Sequence, residues 1–267
     1  MFYTLFKTIL FIFRLIDLVI ITIFVFSISL LPKFLIKPFM PKLFRLFCWS
    51  FIRFLGKSPH IHENFTPPLP KQYILISNHP SGYDLLMINA LFSVKPLAQS
   101  GVRKWFIVGR IAEATGTVFV ERDKKDSRNA AKDACLKALD AGHSVLIYPE
   151  GGCYGRDLTP FKLGAFDISH RTGIPILPVY LQYEAENSYE WGWEDNLPRH
   201  LFKMITAINK HTHCHIFNPI YPQNFNDAKS YQEYVYSLYK NWQQRFKLID
   251  TEENESVSYT GTSLQNS

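Results

Sequence analysis

The 267-residue sequence predicts an α/β fold, a mostly parallel sheet flanked by helices, preceded by an N-terminal membrane-associated two-helix segment. Three observations lead there. Beyond residue 72 short apolar runs alternate with amphipathic ones, the strand–helix rhythm of a layered domain. Hydrophobic residues make up 47% of the chain, enough for one large core. The first 58 residues differ in kind, being apolar and basic together.

That first segment opens with LVIITIFVFSISLL (18–31), which carries no charge. Fourteen helical residues rise only about 21 Å, short of a hydrocarbon core of about 30 Å. Extension back to Thr8 gives length but includes Arg14 and Asp17, three apart and placed to pair on one helix face. No small-x-small cleavage site follows, which argues against a removed signal peptide. Pro32, Pro38 and Pro41 interrupt the run, and PKLFRLFCWSFIRFLG then reads as a second helix ending at Gly56.

The net charge is +6, and its placement matters more than its size. No acidic residue lies between Asp17 and Glu63, while Lys33, Lys37, Lys42, Arg45, Arg53 and Lys57 all do. Interleaved with Phe, Leu, Ile and Trp, this block suits an anionic lipid surface and not nucleic acid. Membrane lipids are the expected partner. Spanning and interfacial placement both stay open. If the helix spans, its basic flank puts the remainder on the cytoplasmic face of the cell membrane.

The second domain is expected over 59–249, after 1–58 as the anchor. A proline-rich hinge, KSPHIHENFTPPLPK, leads into it. YILIS (73–77) reads as a strand, Asp84 opens a helix through DLLMINALF, and a short VKPLA follows. Helices are expected at 105–116, 126–142 and 161–173, and strands at 117–121, 144–149 and 174–182. HTHCHIFNPI is a weaker strand, and 227–249 a helix with clear period. The polar end, 250–267, is expected to be disordered. Cysteines 48, 135, 153 and 214 form no close pair, so neither a disulfide framework nor a zinc motif is indicated.

The chemistry points to SNHPSGYDLL (77–86). His79 and Asp84 are five apart, a spacing that neither a helix nor a strand makes adjacent. Pro80 and Gly82 supply a turn that can bring the Asp84 carboxylate back to one imidazole nitrogen, leaving the other for a cleft. That is the arrangement of an oriented general base. Asp84 could equally be a helix N-cap. The following strands also end in polar groups: TVFVER delivers Arg122, and SVLIYPEGG delivers Glu150 with Gly151 and Gly152, whose backbone N–H groups can approach an anion. Arginine suits phosphate through its planar fork.

SNHPSGYD, GTVFVER, YPEGG and IPILPV occur in the order and at about the spacing of the four blocks of the glycerolipid acyltransferases, the lysophosphatidic acid acyltransferase (PlsC-like) family. The resemblance covers about residues 73–182 and includes FKLGAF. It implies a glycerol-phosphate acyltransferase-like sheet and O-acyl transfer to a lysophospholipid hydroxyl, most simply 1-acyl-sn-glycerol 3-phosphate giving phosphatidic acid. It implies that His79 takes the hydroxyl proton and Asp84 orients His79. Arg122 and the Glu150–Gly151–Gly152 turn are implied to hold the acceptor phosphate. The co-substrate is implied to be an acyl-ACP or acyl-CoA thioester, with no other cofactor and no metal.

The sequence departs from the family at two basic positions. Threonine and arginine commonly follow the Glu-Gly pair, where Gly152 and Cys153 stand here. A lysine commonly stands where this chain has Gln99. Arg156 is a candidate replacement for the lost charge. The base and its orienter are intact, so the reaction type is unaffected, whereas a different acceptor such as a lyso-aminolipid, or a catalytically silent lipid-binding role, becomes an alternative. His211, His213 and His215 share a strand face without a further ligand at a recognisable spacing, and read as a wet face. Trp191 and Trp193 read equally as interface anchors or packing residues.

Overall fold

The computed structural model describes every residue except Met1, 121–124, 184–188, Trp193, 208–210 and 263–267. The N-terminal segment comprises α1 (Phe2–Ser29), the short α2 (Lys33–Ile36) and α3 (Met40–Phe54). There follow β1 (Ser58–Asn64), β2 (Ile74–Ser77), α4 (Tyr83–Leu91), β3 (Val94–Gln99), α5 (Ser100–Arg103), α6 (Phe106–Thr115) and β4 (Val118–Val120). The chain continues as α7 (Lys125–Asp140), β5 (Ser144–Ile147), α8 (Gly164–Thr172), β6 (Ile176–Tyr183), α9 (Leu197–Thr206), β7 (His211–Phe217) and α10 (Ala228–Thr262).

The seven strands form one sheet in the order β1-β7-β6-β2-β5-β3-β4. Every neighbouring pair is parallel except β6 and β7, which run antiparallel. Because β2 and β5 lie inside the sheet they are buried on both faces, which explains their unbroken apolar runs. Strand alternation divides the core in two. Leu75, Leu146 and Leu177 join the helices α3 and α4 on one face, while Ile74, Ile76, Val145 and Ile147 join α7, α8 and α10 on the other. The result is a helix–sheet–helix sandwich in which the C-terminal ends of the parallel strands open toward the loops that carry the motifs.

Gly116 and Gly173 end α6 and α8 in the left-handed conformation, at φ 81° and 71°, as stop glycines should. Three elements differ from expectation. The hinge contains β1, which pairs with β7 along its whole length. The loop after β6 contains α9, capped by the Asn196 side chain accepting from Arg199 N at 3.0 Å. The backbone of α10 stays helical through the segment expected to be disordered from residue 250, where no proline or glycine precedes Gly261 to stop it.

Asp17 does not pair with Arg14. It accepts from Ser50 Oγ at 2.6 Å and from Arg53 at 3.4 Å, so one carboxylate ties α1 to α3. Thr4–Ser29 is long and apolar enough to cross a bilayer, and only 6% of its most apolar 18-residue stretch is buried in the protein. At 1.5 Å per residue its 26 residues rise about 39 Å. Phe34, Leu35 and Phe39 beside it are exposed, as are Trp105, Phe106 and Ile107 of the α6 corner. Phe26 of α1 and Phe106 meet at 5.4 Å between ring centroids, joining these surfaces into one apolar patch.

Candidate active site

His79 stands two residues beyond the end of β2, in the loop leading to α4. Asn78 extends the sheet with its side chain: Nδ2 donates to Leu181 O at 2.9 Å and Oδ1 accepts from Leu181 N at 2.7 Å. The loop then turns back on itself. His79 Nδ1 lies 2.8 Å from Asp84 Oδ2, and the same oxygen accepts from Ser81 N at 2.9 Å. Tyr183 Oη donates to the other oxygen, Oδ1. Helix α4 starts at Tyr83 with no side-chain cap, so Asp84 is not its N-cap; the carboxylate serves the loop instead.

This carboxylate is fully buried, and the imidazole side chain is only 15% exposed. With Nδ1 held by Asp84, Nε2 is the nitrogen available to a substrate. Tyr148 lies flat against the imidazole, with centroids 3.9 Å apart and planes 12° apart, which fixes the ring plane. Burial first, then the Asp84 charge, push the Tyr148 and Tyr183 phenols well above their ordinary range, so both stay protonated.

Glu150 is bound to donors within the protein. Its Oε1 accepts from His79 N at 2.8 Å, and Oε2 accepts from Thr159 N at 2.9 Å and Thr159 Oγ1 at 3.0 Å. Both oxygens are committed to protein donors, so Glu150 clamps the His79 loop to the 151–159 loop. Burial pushes the pKa of its carboxyl upward, and the bonds from Thr159 and His79 oppose that rise. Gly151 has φ +76° and sits under the Lys162 side chain, while the Tyr154 ring covers Gly152. The left-handed φ of Gly151 favours glycine there, and a Cβ at Gly152 would meet the Tyr154 ring.

Arg122 lies outside the described residues. Strand β4, which precedes it in the sequence, ends at the rim of a cavity of about 600 Å³ between the sheet and α7 and α8. Leu97, Val120, Cys135 and Ile147 supply its apolar wall; Tyr148, Gly151 and Lys162 bring it to the edge of the His79 loop. Arg156 is on the other side of the loop, where it shares a small recess with Pro80 and Glu190 and its charge offsets that of Glu190.

Several residues escaped the sequence reading. His200 of α9 is fully buried; its Nε2 lies 3.2 Å from Gly82 N and 3.1 Å from Ser81 Oγ. Trp191 packs against it at 4.8 Å and donates from its backbone N to Pro80 O at 2.8 Å, so Trp191 braces the loop; Trp193 is outside the described residues. Tyr183, Thr159 and Lys162 also went unnamed. Lys162 alone had a visible signal, its place in FKLGAF. All four cysteines are free thiols.

Three comparisons bear on this site. Residues 59–182 match the family model described as Acyltransferase. A lyso-ornithine lipid O-acyltransferase of Rhodobacter capsulatus is 28% identical over 207 residues, 73% of this chain and 72% of that protein. A 1-acyl-sn-glycerol-3-phosphate acyltransferase of Neisseria gonorrhoeae is 27% identical over 121 residues, 45% of this chain and 48% of that protein. The crystal structure of the 1-acyl-sn-glycerophosphate acyltransferase PlsC from Thermotoga maritima superposes with a TM-score of 0.59 at 19% identity, covering 88% of this chain and 98% of that one, a likeness of fold. The segment that matches the acyltransferase family model holds the His79–Asp84 pair, the Glu150 clamp and the strands that carry them.

Proposed function

We propose that this acyltransferase moves a fatty acyl group from an acyl-ACP or acyl-CoA thioester to the free hydroxyl of a lyso-lipid held at the membrane. The observation that carries the reading is the 2.8 Å contact between His79 Nδ1 and Asp84 Oδ2, which leaves Nε2 to take a proton. In this mechanism Nε2 removes the acceptor's hydroxyl proton as the oxygen attacks the thioester carbonyl. A C–O bond forms, the C–S bond breaks, and the imidazolium returns its proton to the departing thiolate. Asp84 supports the transient positive charge without itself being protonated. No metal or further cofactor is called on.

The cavity of about 600 Å³ lies within the range of about 300–1,000 Å³ usual for ligand pockets, and its apolar wall suits a fatty chain. Its polar end, at Gly151 and Lys162, supports an anionic group beside the histidine. Arg122, two residues beyond Val120, is the second basic group assigned there. The exposed patch of α1, α2 and α6 supports docking on the bilayer, from which both lipids arrive, with the sheet domain on the cytoplasmic side.

For the head group, 1-acyl-sn-glycerol 3-phosphate follows from the motifs. A second reading, a lyso-ornithine-type acceptor, is favoured by one observation. The Rhodobacter relative, named for that acceptor, aligns over 73% of this chain, against 45% for the Neisseria relative named for the glycerol phosphate. A panel of lyso-lipids offered with one radiolabelled acyl-ACP or acyl-CoA distinguishes them. Preference for the phosphate acceptor, with a KM that rises in Arg122→Ala, supports the first reading; preference for lyso-ornithine lipid supports the second. Binding without turnover of any member would sink the catalytic reading in favour of a silent lipid binder.

A further inference from the structure

Five of the chain's nine histidines crowd one face of the β1–β7 ribbon. In the parallel register His60 is opposite His213 and His62 is opposite His215, with His211 one rung earlier. Alternation puts all five on the same side of the sheet. Their rings form a ladder: His62 is 5.2 Å from His213 and 4.3 Å from His215 between centroids. His60 is 5.3 Å from His213.

The nitrogens converge as well as the rings. His62 Nε2 and His213 Nδ1 are 2.9 Å apart, a separation at which two imidazoles share one proton. One ring nitrogen from each of His62, His213 and His215 falls within 4.8 Å of the other two. Around a Zn²⁺-sized ion, with Zn–N of about 2.0–2.1 Å, three such nitrogens sit about 3.4 Å apart. Small ring rotations close that gap, and the ion replaces the shared proton. His215 is preset for this: its Nε2 lies 3.2 Å from Gln182 Oε1, and its ring stacks on Phe246 at 4.1 Å. A carbonyl oxygen on the far ring nitrogen is the usual way a ligating imidazole is oriented. The near charge is Arg245, and no carboxylate belongs to the group, so hard, oxygen-seeking cations are disfavoured.

We propose that His62, His213 and His215 form a three-imidazole site for a divalent transition-metal ion of the zinc type, with the fourth position left to solvent or to His60. The ion would staple β1, an edge strand joined only to β7, onto the sheet directly after the membrane segment. The strand face is not uniformly wet, since His215 is buried, and the proposed further ligand lies on a strand about 150 residues upstream. This site does not depend on the acyl-transfer reading.

The test uses the full-length protein without an affinity tag, in detergent, after dialysis against EDTA. Co²⁺ serves as the optical probe and Zn²⁺ as its competitor. We expect one equivalent of Co²⁺ to give a visible d–d band that Zn²⁺ removes. His62→Ala and His213→Gln should each weaken binding by about tenfold or more, about 1.4 kcal/mol or more. His170→Ala, at an exposed position of α8, should leave it unchanged. Zinc should also raise the unfolding temperature of the parent protein and not that of His62→Ala. A parent protein with no Co²⁺ band, or one whose band survives intact in both cluster variants, overturns the proposal.

Discussion

The buried carboxylate of Asp84 holds His79 Nδ1 at 2.8 Å with Oδ2, while Tyr183 donates to Oδ1 from a strand 99 residues away. One group thus sets the tautomer of the imidazole and anchors the His79 loop to β6. Asp84→Asn keeps the shape but removes the negative charge and offers a donor where an acceptor is needed. We predict a fall in kcat of about 10²-fold or more. The KM for the acceptor should change little, since Asp84 has no surface from which to touch it. Steady-state kinetics with saturating thioester measures both.

Glu150 is predicted to act on the loop and not on the lipid head group. Glu150→Ala leaves His79 N and Thr159 N without their acceptor inside the protein, at a cost of about 1–3 kcal/mol for each buried group left unpaired. Thr159→Ala removes only the hydroxyl bond and should cost about 1 kcal/mol. Denaturant unfolding of the two variants orders them. If Glu150→Ala unfolds like the parent and loses only acceptor affinity, the clamp is wrong and a direct binding role is right.

His200 gives the fold a pH dependence of known sign. Burial, and secondarily the Lys203 charge, lower its basicity, against the opposing pull of Asp195 and Asp84. Nε2 must stay unprotonated to accept from Gly82 N. The unfolded chain therefore takes up this proton at a higher pH than the fold does. Its contribution is complete above the ordinary value of 6.5 and is lost as pH falls through that value toward the lower folded one. His62, His143 and His215 are lowered too, His215 to about 3, and share that window. The difference between parent and His200→Gln isolates the one residue. Its unfolding free energy should be less steep in this window by up to about 1.4 kcal/mol per pH unit. Parallel curves would remove His200 from the account.

The apolar patch predicts a kinetic effect confined to membranes. Phe34 is 78% exposed and Phe106 is 82% exposed, so Glu in their place should leave the fold intact. Burial of a phenylalanine side chain in an apolar phase is worth about 1.5–3 kcal/mol. The double variant should show an apparent KM raised about tenfold or more for acceptor embedded in vesicles, with little change for acceptor in detergent micelles. An equal KM in vesicles would mean that α2 and α6 do not face the bilayer.

What the sequence disclosed follows from how far apart the partners are. His79 and Asp84 lie five residues apart, so the turn between them was visible in the residue types. Strands β2, β5 and β6 announced themselves because burial on both faces leaves unbroken apolar runs. Strand β1 did not. HIHE looks like a polar hinge until β7, about 150 residues on, supplies the matching histidines. The bond that Glu150 makes to the His79 loop was not legible for a related reason: its partner is a backbone N–H 71 residues upstream, and a backbone donor leaves no mark on the sequence. Helix α9 was the avoidable omission, since Asn196 before Leu197–Pro198 is a cap followed by a proline in the first turn.

The most direct test of the central claim is the rate of acyl transfer to a lyso-lipid by purified His79→Ala, assayed beside its thermal unfolding. The account predicts a loss of about 10²- to 10⁴-fold in kcat, with unfolding close to that of the parent protein. A folded His79→Ala protein that retains a substantial fraction of parental turnover would contradict it.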